Sequence, residues 1–390
     1  MKKKILFIDS QTKNLCALST LLNELETRDF EFIIFSPCAK FYNEERNQEW
    51  HNKKLPQLFN LNITWQLIFF IILSPIFILA SFFLLLYIKF SKKINTIICS
   101  HYLEKICFTK ISRLLKINLI WLEFPDTVNE KRNKTLTWLL KNHSRFTRVI
   151  CFTNNSKDLL AKQGYKLENI SVIAPGIKQK NLQRQENIFE QIAQNDKSLK
   201  KRKFFTIGIV TELNNEKIGD KLEKLFQAVK KSLVVVPHIQ LIIVGEGGER
   251  KNLGWLTKRM EIDNLIWFVG GPNLPEAGSQ KHLKKWLDSF DLLISVCDNI
   301  DLNDLHVMLH AMATELPIIA PEYIGFETII ENKKNGSLIN TDNSDNIAQE
   351  IIDLQQSKTR RQEYGKSANE AVQNYFTISR IADQLELILR

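Results

Sequence analysis

The chain has 390 residues, of which 44% are hydrophobic and 25% are charged. Single hydrophobic cores stop growing at about 250 to 300 residues, so this length predicts two domains, and the balanced composition excludes a disordered or fibrous protein. Lys and Arg outnumber Asp and Glu by 30 to 17 in residues 1–200, whereas residues 201–390 hold 23 against 26. The basic first half suits an anionic membrane surface or a nucleic acid, and charge alone does not separate the two.

The start of the sequence predicts a strand rather than a signal peptide. MKKKILFIDS has a basic tip, but its apolar run is too short for the apolar core of a signal peptide. The six cysteines contain no CxxC pair. This pattern suggests neither a zinc ribbon nor a disulfide framework, and it indicates buried thiols in a reducing compartment.

Residues 63–88 form an apolar segment, ITWQLIFFIILSPIFILASFFLLLYI, of 26 residues without a charge. As one helix it would be about 39 Å long at ~1.5 Å per residue, enough to span a hydrocarbon core of ~30 Å. The segment predicts contact with a membrane surface, and it is too apolar for the wet interfaces of nucleic-acid binding, so no nucleic acid is expected. The residues assigned to this membrane region are Trp65, Ser74, Pro75, Lys89, Lys92 and Lys93.

Three arrangements of the apolar segment remain open. The strand-like sequences on either side of it, KILFID and TIICSH, fit one parallel sheet, which must lie on one side of a membrane. Pro75 removes a backbone donor near the middle and bends or ends a helix, which leaves two limbs too short to cross. We therefore expect a helical hairpin that re-enters the bilayer or lies on its surface; the alternatives are a buried core helix and a single transmembrane span.

Strand-like and helix-like stretches alternate along both halves. The strand-like sequences are KILFID, FEFIIFS, NTIICS, NLIWLEF, RVICFT and ISVIAP, followed by FFTIGIV, IQLIIVG, LIWFVG, LLISVC and LPIIAP. This alternation predicts an α/β protein with two doubly wound parallel sheets. The predicted boundaries are an N-terminal domain over residues 1–180, a polar linker over 181–203, a C-terminal domain over 204–377 and a closing helix over 378–390.

Four motifs follow one another in the second half: IGIVTELNNEKIG, LIIVGEG, IWFVGG and LHAMATELPIIAPEYIGFETIIENKKNGSLI. In this order they resemble the donor-binding domain of family-four glycosyltransferases, the large retaining group that uses nucleotide sugars, over residues 204–390. The first half resembles the family's acceptor domain more loosely, through NTIICSH and VIAPGI. The resemblance implies the GT-B fold, in which two Rossmann-like domains face across a cleft, here with a membrane-associated apolar helical hairpin in the N-terminal domain.

The resemblance also implies a donor site at the strand ends of the C-terminal domain. Strands that end in glycine and feed helix N-termini place backbone N–H groups and a positive dipole where a diphosphate can bind. The residues expected at this donor site are Gly208, Glu212, Lys217, Gly245, Glu246, Gly247, Gly270, Asp304, Leu305, His306, His310 and Glu327.

Several positions depart from the family's pattern. Glu212 stands where the family has an arginine, so only Lys217 remains to neutralise the diphosphate. A carboxylate about 4 Å from a phosphate is repelled by about 1 kcal/mol in water and by about 4 kcal/mol at an effective dielectric constant near 20. Leu302 and His310 replace two family glutamates, and Leu305 replaces a glycine. Unless Glu212 points away from the donor, these changes predict weak donor binding.

In the acceptor domain, Phe124 stands where many members have a histidine that contacts the transferred sugar. The catalytic candidates are its acidic neighbours Glu123 and Asp126, together with His101 at the end of the NTIICSH strand. As ordinary structural residues, the two acids would cap a strand end or lie in solvent, and Glu327 would cap the next helix.

The function implied by the resemblance is transfer of a sugar, with retention and without a metal or a cofactor, from a nucleotide-sugar donor to a lipid-linked or membrane-proximal glycan acceptor. The expected location is the cytoplasmic face of the membrane, and the expected process is polysaccharide assembly. The departures favour an alternative: a catalytically degenerate relative that binds a protein partner or acts as a membrane-bound scaffold. A nucleotide-sugar epimerase is a third alternative, which needs acids and histidines that have no match here.

Overall fold

The computed structural model describes residues 2–9, 15–35, 42–43, 48–49, 61, 63–178, 204–214, 216–270, 279–297, 299–322 and 325–390. The chain divides into two compact units. The first unit consists of Met1–Pro175 together with Ile378–Arg390, and the second unit is Gly176–Thr377. The predicted linker, residues 181–203, lies outside the described residues.

The strands of the first unit are β1 (Lys3–Ile8), β2 (Phe30–Phe35), β3 (Tyr42–Asn43), β4 (Gln48–Glu49), β5 (Thr96–Cys99), β6 (Asn118–Glu123), β7 (Arg148–Cys151) and β8 (Ile170–Val172). β3 and β4 form a short antiparallel pair, and the others form a parallel sheet in the order β2-β1-β5-β6-β7-β8. Ile5 of β1 lies opposite Phe32 of β2 and Thr96 of β5. The last four residues of β1 are buried, as expected for a parallel strand covered on both faces.

The helices of the first unit that precede the second unit are α1 (Leu15–Glu26), α2 (Thr64–Lys92), α3 (Tyr102–Leu114), α4 (Pro125–Asn129), α5 (Lys134–Ser144) and α6 (Asn154–Lys162). α3 packs against α2 and also against α5. Right-handed crossovers between parallel strands place α2, α3 and α5 on one face of the sheet and α1 on the other.

The second unit repeats this architecture. Its strands are β9 (Phe205–Val210), β10 (Ile239–Val244), β11 (Ile266–Val269), β12 (Leu292–Ile294), β13 (Ile318–Pro321) and β14 (Ser337–Ile339), in the parallel order β11-β10-β9-β12-β13-β14. Its helices are α7 (Glu216–Ser232), α8 (Arg250–Arg259), α9 (Ser279–Asp288), α10 (Leu302–Ala313), α11 (Ser344–Gln356) and α12 (Lys358–Tyr375). Each strand predicted from the sequence is present, which confirms the two doubly wound sheets.

The predicted closing helix is α13 (Ile378–Leu389), and it belongs to the first unit, where it packs against α1. The Lys3 ammonium donates to Leu389 O at 2.6 Å, and the Arg148 guanidinium donates to Ile388 O at 2.9 Å. Both bonds satisfy carbonyl groups in the last turn of the helix, which have no partner within the helix itself. Arg28 also forms an ion pair with Asp383. Three basic residues of the first unit thus hold α13.

The apolar segment forms the single continuous helix α2, so the predicted hairpin is wrong. Pro75 lies inside this helix and cannot donate to Ile71 O, which would be its normal partner. The Ser74 hydroxyl donates to Ile71 O instead, at 2.7 Å. The serine thereby satisfies the carbonyl group that the proline leaves without its usual donor, and the helix continues through both residues.

The alternative of a buried core helix does not fit α2 either. The helix buries only Leu67, Phe70, Leu85 and Ile88, while most of its other large apolar side chains are exposed. By length and composition α2 is able to cross a membrane, a test that core helices and signal sequences also pass. The first unit therefore presents an apolar helix whose outer face nothing within the described residues covers.

Candidate functional site

The candidate site lies where the second sheet reverses its strand order, between β9 and β12. Open parallel sheets bind ligands outside the carboxyl ends of the strands at such a point. The loop of residues 211–214 follows β9 and leads to α7, whose first turn carries Lys217. The segment after β12 leads to α10, whose first turn carries Asp304. The fold thus brings the predicted donor residues of these two connections to the same edge of the sheet.

Two glycines after β10 allow its loop to lie directly against the loop after β9. A Cβ atom added to Gly245 would be 1.8 Å from Thr211 O, and one added to Gly247 would be 2.1 Å from Leu213 O. The Leu213 N–H closes the contact by donating to Glu246 O at 2.9 Å. Packing of the two loops therefore requires both glycines, and their contact with a donor stays a prediction.

The other two predicted glycines have different surroundings. Gly208 lies within β9, where an added Cβ would be 2.0 Å from the ring of Phe290, so the strand has no room for a side chain. Gly270 follows β11 and is exposed, and a Cβ atom added to it would be 3.1 Å from Glu246 Oε1. Glu246 forms an ion pair with Arg250 one turn along the chain. Gly208 thus has a packing role inside the sheet, whereas Gly270 and Glu246 lie at its rim.

Glu212 and Lys217 are both exposed at this edge of the sheet. The Asn214 side chain donates to Glu212 Oε2 at 3.1 Å and so orients the carboxylate within its loop. That carboxylate lies close enough to Asp304 to raise the pKa of the aspartate. Glu212 is therefore near enough to the N-terminus of α10 for its charge to be felt there.

Two aspartates close the N-terminus of α10. Asp301 Oδ1 accepts a hydrogen bond from the Asp304 N–H, and Asp304 Oδ2 accepts one from the Asp301 N–H, both at 2.9 Å. This reciprocal arrangement is a capping box. Helix N-termini bind phosphate through N–H groups that have no other partner. Because two backbone N–H groups are already bonded to carboxylates, α10 offers fewer donors to a diphosphate than the strand-and-helix pattern predicts.

The candidate site is acidic. Burial raises the pKa of Asp304 well above its usual range, and the negative charges of Asp301 and Glu212 raise it further. Burial also raises the pKa of the Cys297 thiol, and the negative charge of Asp304 raises it further. Ser295 Oγ lies 3.4 Å from the sulfur atom of Cys297. Cys297 is consequently an uncharged thiol at neutral pH. Within the described ranges, no three His, Cys, Asp or Glu side chains are grouped so that they could hold a metal ion.

Further along α10, buried leucines alternate with two partly exposed histidines. Leu302 and Leu305 are completely buried, so their side chains fill the core, and the place of Leu305 at the donor site stays a prediction. Burial lowers the pKa of His306 to about 3 and that of His310 to about 4. Both imidazoles are therefore neutral at pH 7, and each keeps one donor and one acceptor.

Glu327 follows β13 and caps its own turn. Its Oε2 atom accepts a hydrogen bond from the Gly325 N–H at 2.9 Å. Gly325 has a φ of 115°, in the region that favours glycine, so this turn depends on both residues. A contact between Glu327 and a donor stays a prediction beside this capping role.

Two of the first unit's catalytic candidates retain contact with solvent at the carboxyl edge of its sheet. His101 precedes α3, and its backbone N–H donates to Glu104 Oε2 at 3.2 Å. Burial and the charge of Lys105 lower the pKa of the His101 imidazole to about 4, so the ring is neutral at pH 7. Asp126 lies in the first turn of α4 and is partly exposed.

The third candidate, Glu123, is closed inside the first unit. Its carboxylate lies 3.0 Å from Lys105 Nζ and 3.2 Å from Arg132 Nη2, and none of the three side chains is more than 2% exposed. Tyr165 Oη donates to the same carboxylate at 3.4 Å. Burial alone would raise the pKa of Glu123, but the two cations hold it below its usual range. The catalytic role predicted for Glu123 is therefore corrected to that of a buried ion-pair anchor.

Two features of this edge depend on contacts that the sequence does not show. Phe124, at the position of the family histidine, is buried and stacks on Phe152 with ring centroids 5.4 Å apart. Asp9 is completely buried after β1 and accepts a hydrogen bond from Ser100 Oγ at 2.6 Å. The pair joins β1 to β5, where the first sheet reverses its strand order. An acid directly after a buried strand was the signal that could have found Asp9.

Comparison with known proteins relates the second half of the chain to a family. Residues 202–357 match the family described as Glycosyl transferases group 1. An N-acetyl-alpha-D-glucosaminyl L-malate synthase of Bacillus anthracis is 24% identical over 180 residues, which are 46% of this chain and 44% of that protein. The GtfA subunit of a UDP-N-acetylglucosamine–peptide N-acetylglucosaminyltransferase of Streptococcus agalactiae is 30% identical over 165 residues, 40% of this chain and 30% of the subunit. The chain spans less than half the length of these curated relatives.

The whole chain also resembles solved structures. The structure of the Anabaena protein Alr3699/HepE in complex with UDP covers 99% of both chains with a TM-score of 0.75 and 15% identity. A similarity at this identity concerns the fold, and the two parallel-sheet units are those of GT-B proteins. Residues 202–357 therefore match the Glycosyl transferases group 1 family, over less than half of the chain, and the chain as a whole has the two-unit GT-B fold.

Proposed function

We propose that the protein is a glycosyltransferase that moves a sugar from a nucleotide-sugar donor to a lipid-linked or membrane-proximal glycan acceptor at the cytoplasmic face of a membrane. The observation that carries the proposal is the group 1 domain with its loops gathered where the second sheet reverses strand order. The reaction proceeds with retention and without a metal. The name of the Bacillus anthracis relative gives an N-acetyl-α-D-glucosaminyl product, which an α-linked donor would yield if it reacted with retention.

Donor binding depends on the charges at this site. The diphosphate is the leaving group, so the protein acts mainly by positioning the donor and by stabilising the developing negative charge. Lys217 supplies a positive charge in the first turn of α7, and the N-terminus of that helix adds a favourable dipole. Glu212 and Asp304 oppose them, and the raised pKa of Asp304 limits this opposition by keeping its carboxyl protonated to higher pH.

The acceptor is assigned to the first unit because of its apolar helix. Large exposed apolar surfaces on a folded protein mark binding sites for proteins, ligands or membranes. On α2, Ile72 is 68% exposed and Ile76 is 65% exposed, and both lie within the 26-residue uncharged segment. Contact of this helix with a bilayer would bring the enzyme to lipid-linked acceptors.

The proposal is tested first by calorimetric titration of the purified protein with UDP and with GDP, because nucleotide binding does not depend on the unknown acceptor. Wild type is compared with Lys217→Ala and with Glu212→Arg. We expect micromolar binding of one nucleotide, at least ten-fold weaker binding by Lys217→Ala, and tighter binding by Glu212→Arg, since that change replaces a repulsion with an attraction. Binding that is unaffected by Lys217→Ala would contradict this assignment of the site.

The acidic cluster favours a second candidate function. Glu212, Asp301 and Asp304 converge where a diphosphate would bind, and two of them cap the helix that would receive it. On this alternative the protein is a degenerate relative that binds a protein partner or acts as a scaffold at the membrane. Transfer and hydrolysis assays with UDP-sugars and GDP-sugars separate the two functions. Turnover that Lys217→Ala abolishes would exclude the scaffold, whereas nucleotide binding gained only in Glu212→Arg would support it.

A further inference from the structure

The outer face of α2 is a long apolar strip. Its exposed side chains include Ile68, Ile72, Ile76, Leu79 and Phe83, which recur every three or four residues. Residues at this spacing lie on one side of a helix. The opposite side carries Leu67, Phe70, Leu85 and Ile88 in the core of the first unit. The helix therefore has a protein-facing side and an apolar side that runs along most of its length.

Both ends of α2 are attached to the first unit. Near its start, Leu67 and Phe70 are buried, and the Asn133 amide donates to Thr64 Oγ1 at 3.3 Å. Near its end, the Lys89 ammonium donates to Leu115 O at 2.6 Å, directly after α3. These attachments lie at opposite ends of the helix, yet they belong to one compact unit.

This double attachment conflicts with a transmembrane orientation. The 29 residues of α2 extend over about 43 Å at ~1.5 Å per residue, which is close to the full thickness of a bilayer with its headgroups. A helix that crossed the bilayer would place its two ends on opposite sides. One compact unit with a parallel sheet cannot be on both sides, because exposed polar backbone is not tolerated in the hydrocarbon region. The attached ends instead leave the outer face available to a flat surface.

The charges at one end of α2 indicate which kind of surface. Lys92 and Lys93 end the helix, and Arg113 and Lys116 lie at the adjacent end of α3; all four are exposed. Among them stand exposed apolar residues, with Leu114 72% exposed. A row of cations beside an apolar strip complements the negative headgroups and the acyl chains of an anionic bilayer.

We propose that α2 lies in the plane of an anionic membrane surface, with its outer face in the headgroup and acyl boundary and with Lys92 and Arg113 on lipid phosphates. The first unit is thereby held on one side of the bilayer and crosses it nowhere along α2. The inference rests on the membrane contact proposed above. It does not depend on sugar transfer. Nucleotide calorimetry tests the donor site, whereas the experiments below test the membrane contact, so a negative result in one does not imply a negative result in the other.

Vesicle binding tests the charge argument. The full-length protein is sedimented with vesicles of phosphatidylcholine alone and with vesicles that contain 30% phosphatidylglycerol, where about 30% is chosen so that the surface potential is appreciable. We expect binding to the anionic vesicles only, and roughly five-fold weaker binding for each positive charge removed. Lys92→Glu and Arg113→Glu each remove a positive charge and add a negative one, so each should weaken binding by more than about five-fold. Lys258→Glu is the matched control, because Lys258 is an exposed cation of the second unit beside Trp255, much as Arg113 lies over Phe146.

Thiol labelling tests the orientation. Thr64→Cys and Ser91→Cys mark the two ends of α2 at exposed positions, and a membrane-impermeant maleimide is added outside the sealed vesicles. Peptide mass spectrometry then locates the label apart from the native cysteines. We expect both positions to be labelled to the same extent as after detergent lysis. Labelling of only one end before lysis would mean a transmembrane helix and would overturn the proposal. No sedimentation with either vesicle would also overturn it and would leave the α2 face as a contact for another protein.

Discussion

Replacing Glu123 by Gln should destabilise the first unit strongly, and the structure gives the size of the effect. The Glu123 carboxylate is the partner of two buried cations, Lys105 and Arg132. A neutral amide at this position would leave both cations buried without a negative charge, and breaking a buried ion pair in this way costs about 3 to 5 kcal/mol. By contrast, Lys105→Met keeps the pair of Glu123 with Arg132. It loses the ion pair of Lys105 with Glu123 and the hydrogen bond from Lys105 Nζ to Leu122 O at 2.7 Å, but it leaves no buried charge unpaired, so we expect a smaller cost of about 1.5 to 3 kcal/mol.

The two variants are compared by urea unfolding followed with hydrogen-exchange mass spectrometry. Peptides from α3 and β6 report on the first unit, and peptides from β10 serve as an internal control in the second unit. The pKa of Glu123 is lowered in the folded state, so its stabilisation is complete above the unfolded value of about 4.3 and is lost as the pH falls below that value toward the folded pKa. The difference between wild type and Glu123→Gln should therefore be constant from pH 7 to about 5 and should shrink below about pH 4. If Glu123→Gln were no more harmful than Lys105→Met, the buried-charge argument would be refuted.

Two further predictions concern the second unit. Gly245→Ala should lower the melting temperature and weaken UDP binding, because the new Cβ would lie 1.8 Å from Thr211 O. Gly248→Ala is the control, since its Cβ would meet nothing within 4 Å and should change neither quantity. Thermal unfolding and calorimetry measure the two effects. Asp304→Asn should raise the melting temperature, since it removes a partly buried charge near Asp301 but keeps an oxygen that can accept from the Asp301 N–H. The pKa of Asp304 is raised in the folded state, so the aspartate costs more stability as the pH rises above the unfolded value of about 3.9. The increase in melting temperature of Asp304→Asn should therefore be larger at pH 8 than at pH 5. An equal increase at both pH values would contradict this reasoning.

The strands and their alternation with helices could be predicted because the signal is local. A buried parallel strand such as β10 is a short apolar run between turn residues, and its neighbours in sequence are sufficient to identify it. The order of such runs then predicted two doubly wound sheets. The gathering of Glu212 and Asp304 at one edge follows from the same topology, since parallel strands end on the same side.

The features that could not be predicted depend on contacts between residues far apart in sequence, or on a local hydrogen bond that departs from the usual behaviour of the residue type. The Ser74 hydroxyl allows α2 to continue through Pro75, whereas the average effect of proline on helices predicts a break. Glu123 resembles a site residue in sequence, and only the approach of Lys105 and Arg132 from other elements turns it into a buried anchor. Likewise, nothing local in residues 378–390 shows that they pack in the first unit.

The return of α13 to the first unit has a consequence for the order of folding during synthesis. The second unit, Gly176–Thr377, is contiguous in sequence and can form its sheet as soon as it has left the ribosome. The first unit must wait for Ile381, Leu385 and Leu389, which are buried in the completed fold. Until then, the apolar surface of α1 that α13 covers stays open to solvent or to a chaperone. A chain truncated after Thr377 and released from the ribosome would thus display a folded second unit beside an unfinished first one, although the first unit was translated earlier.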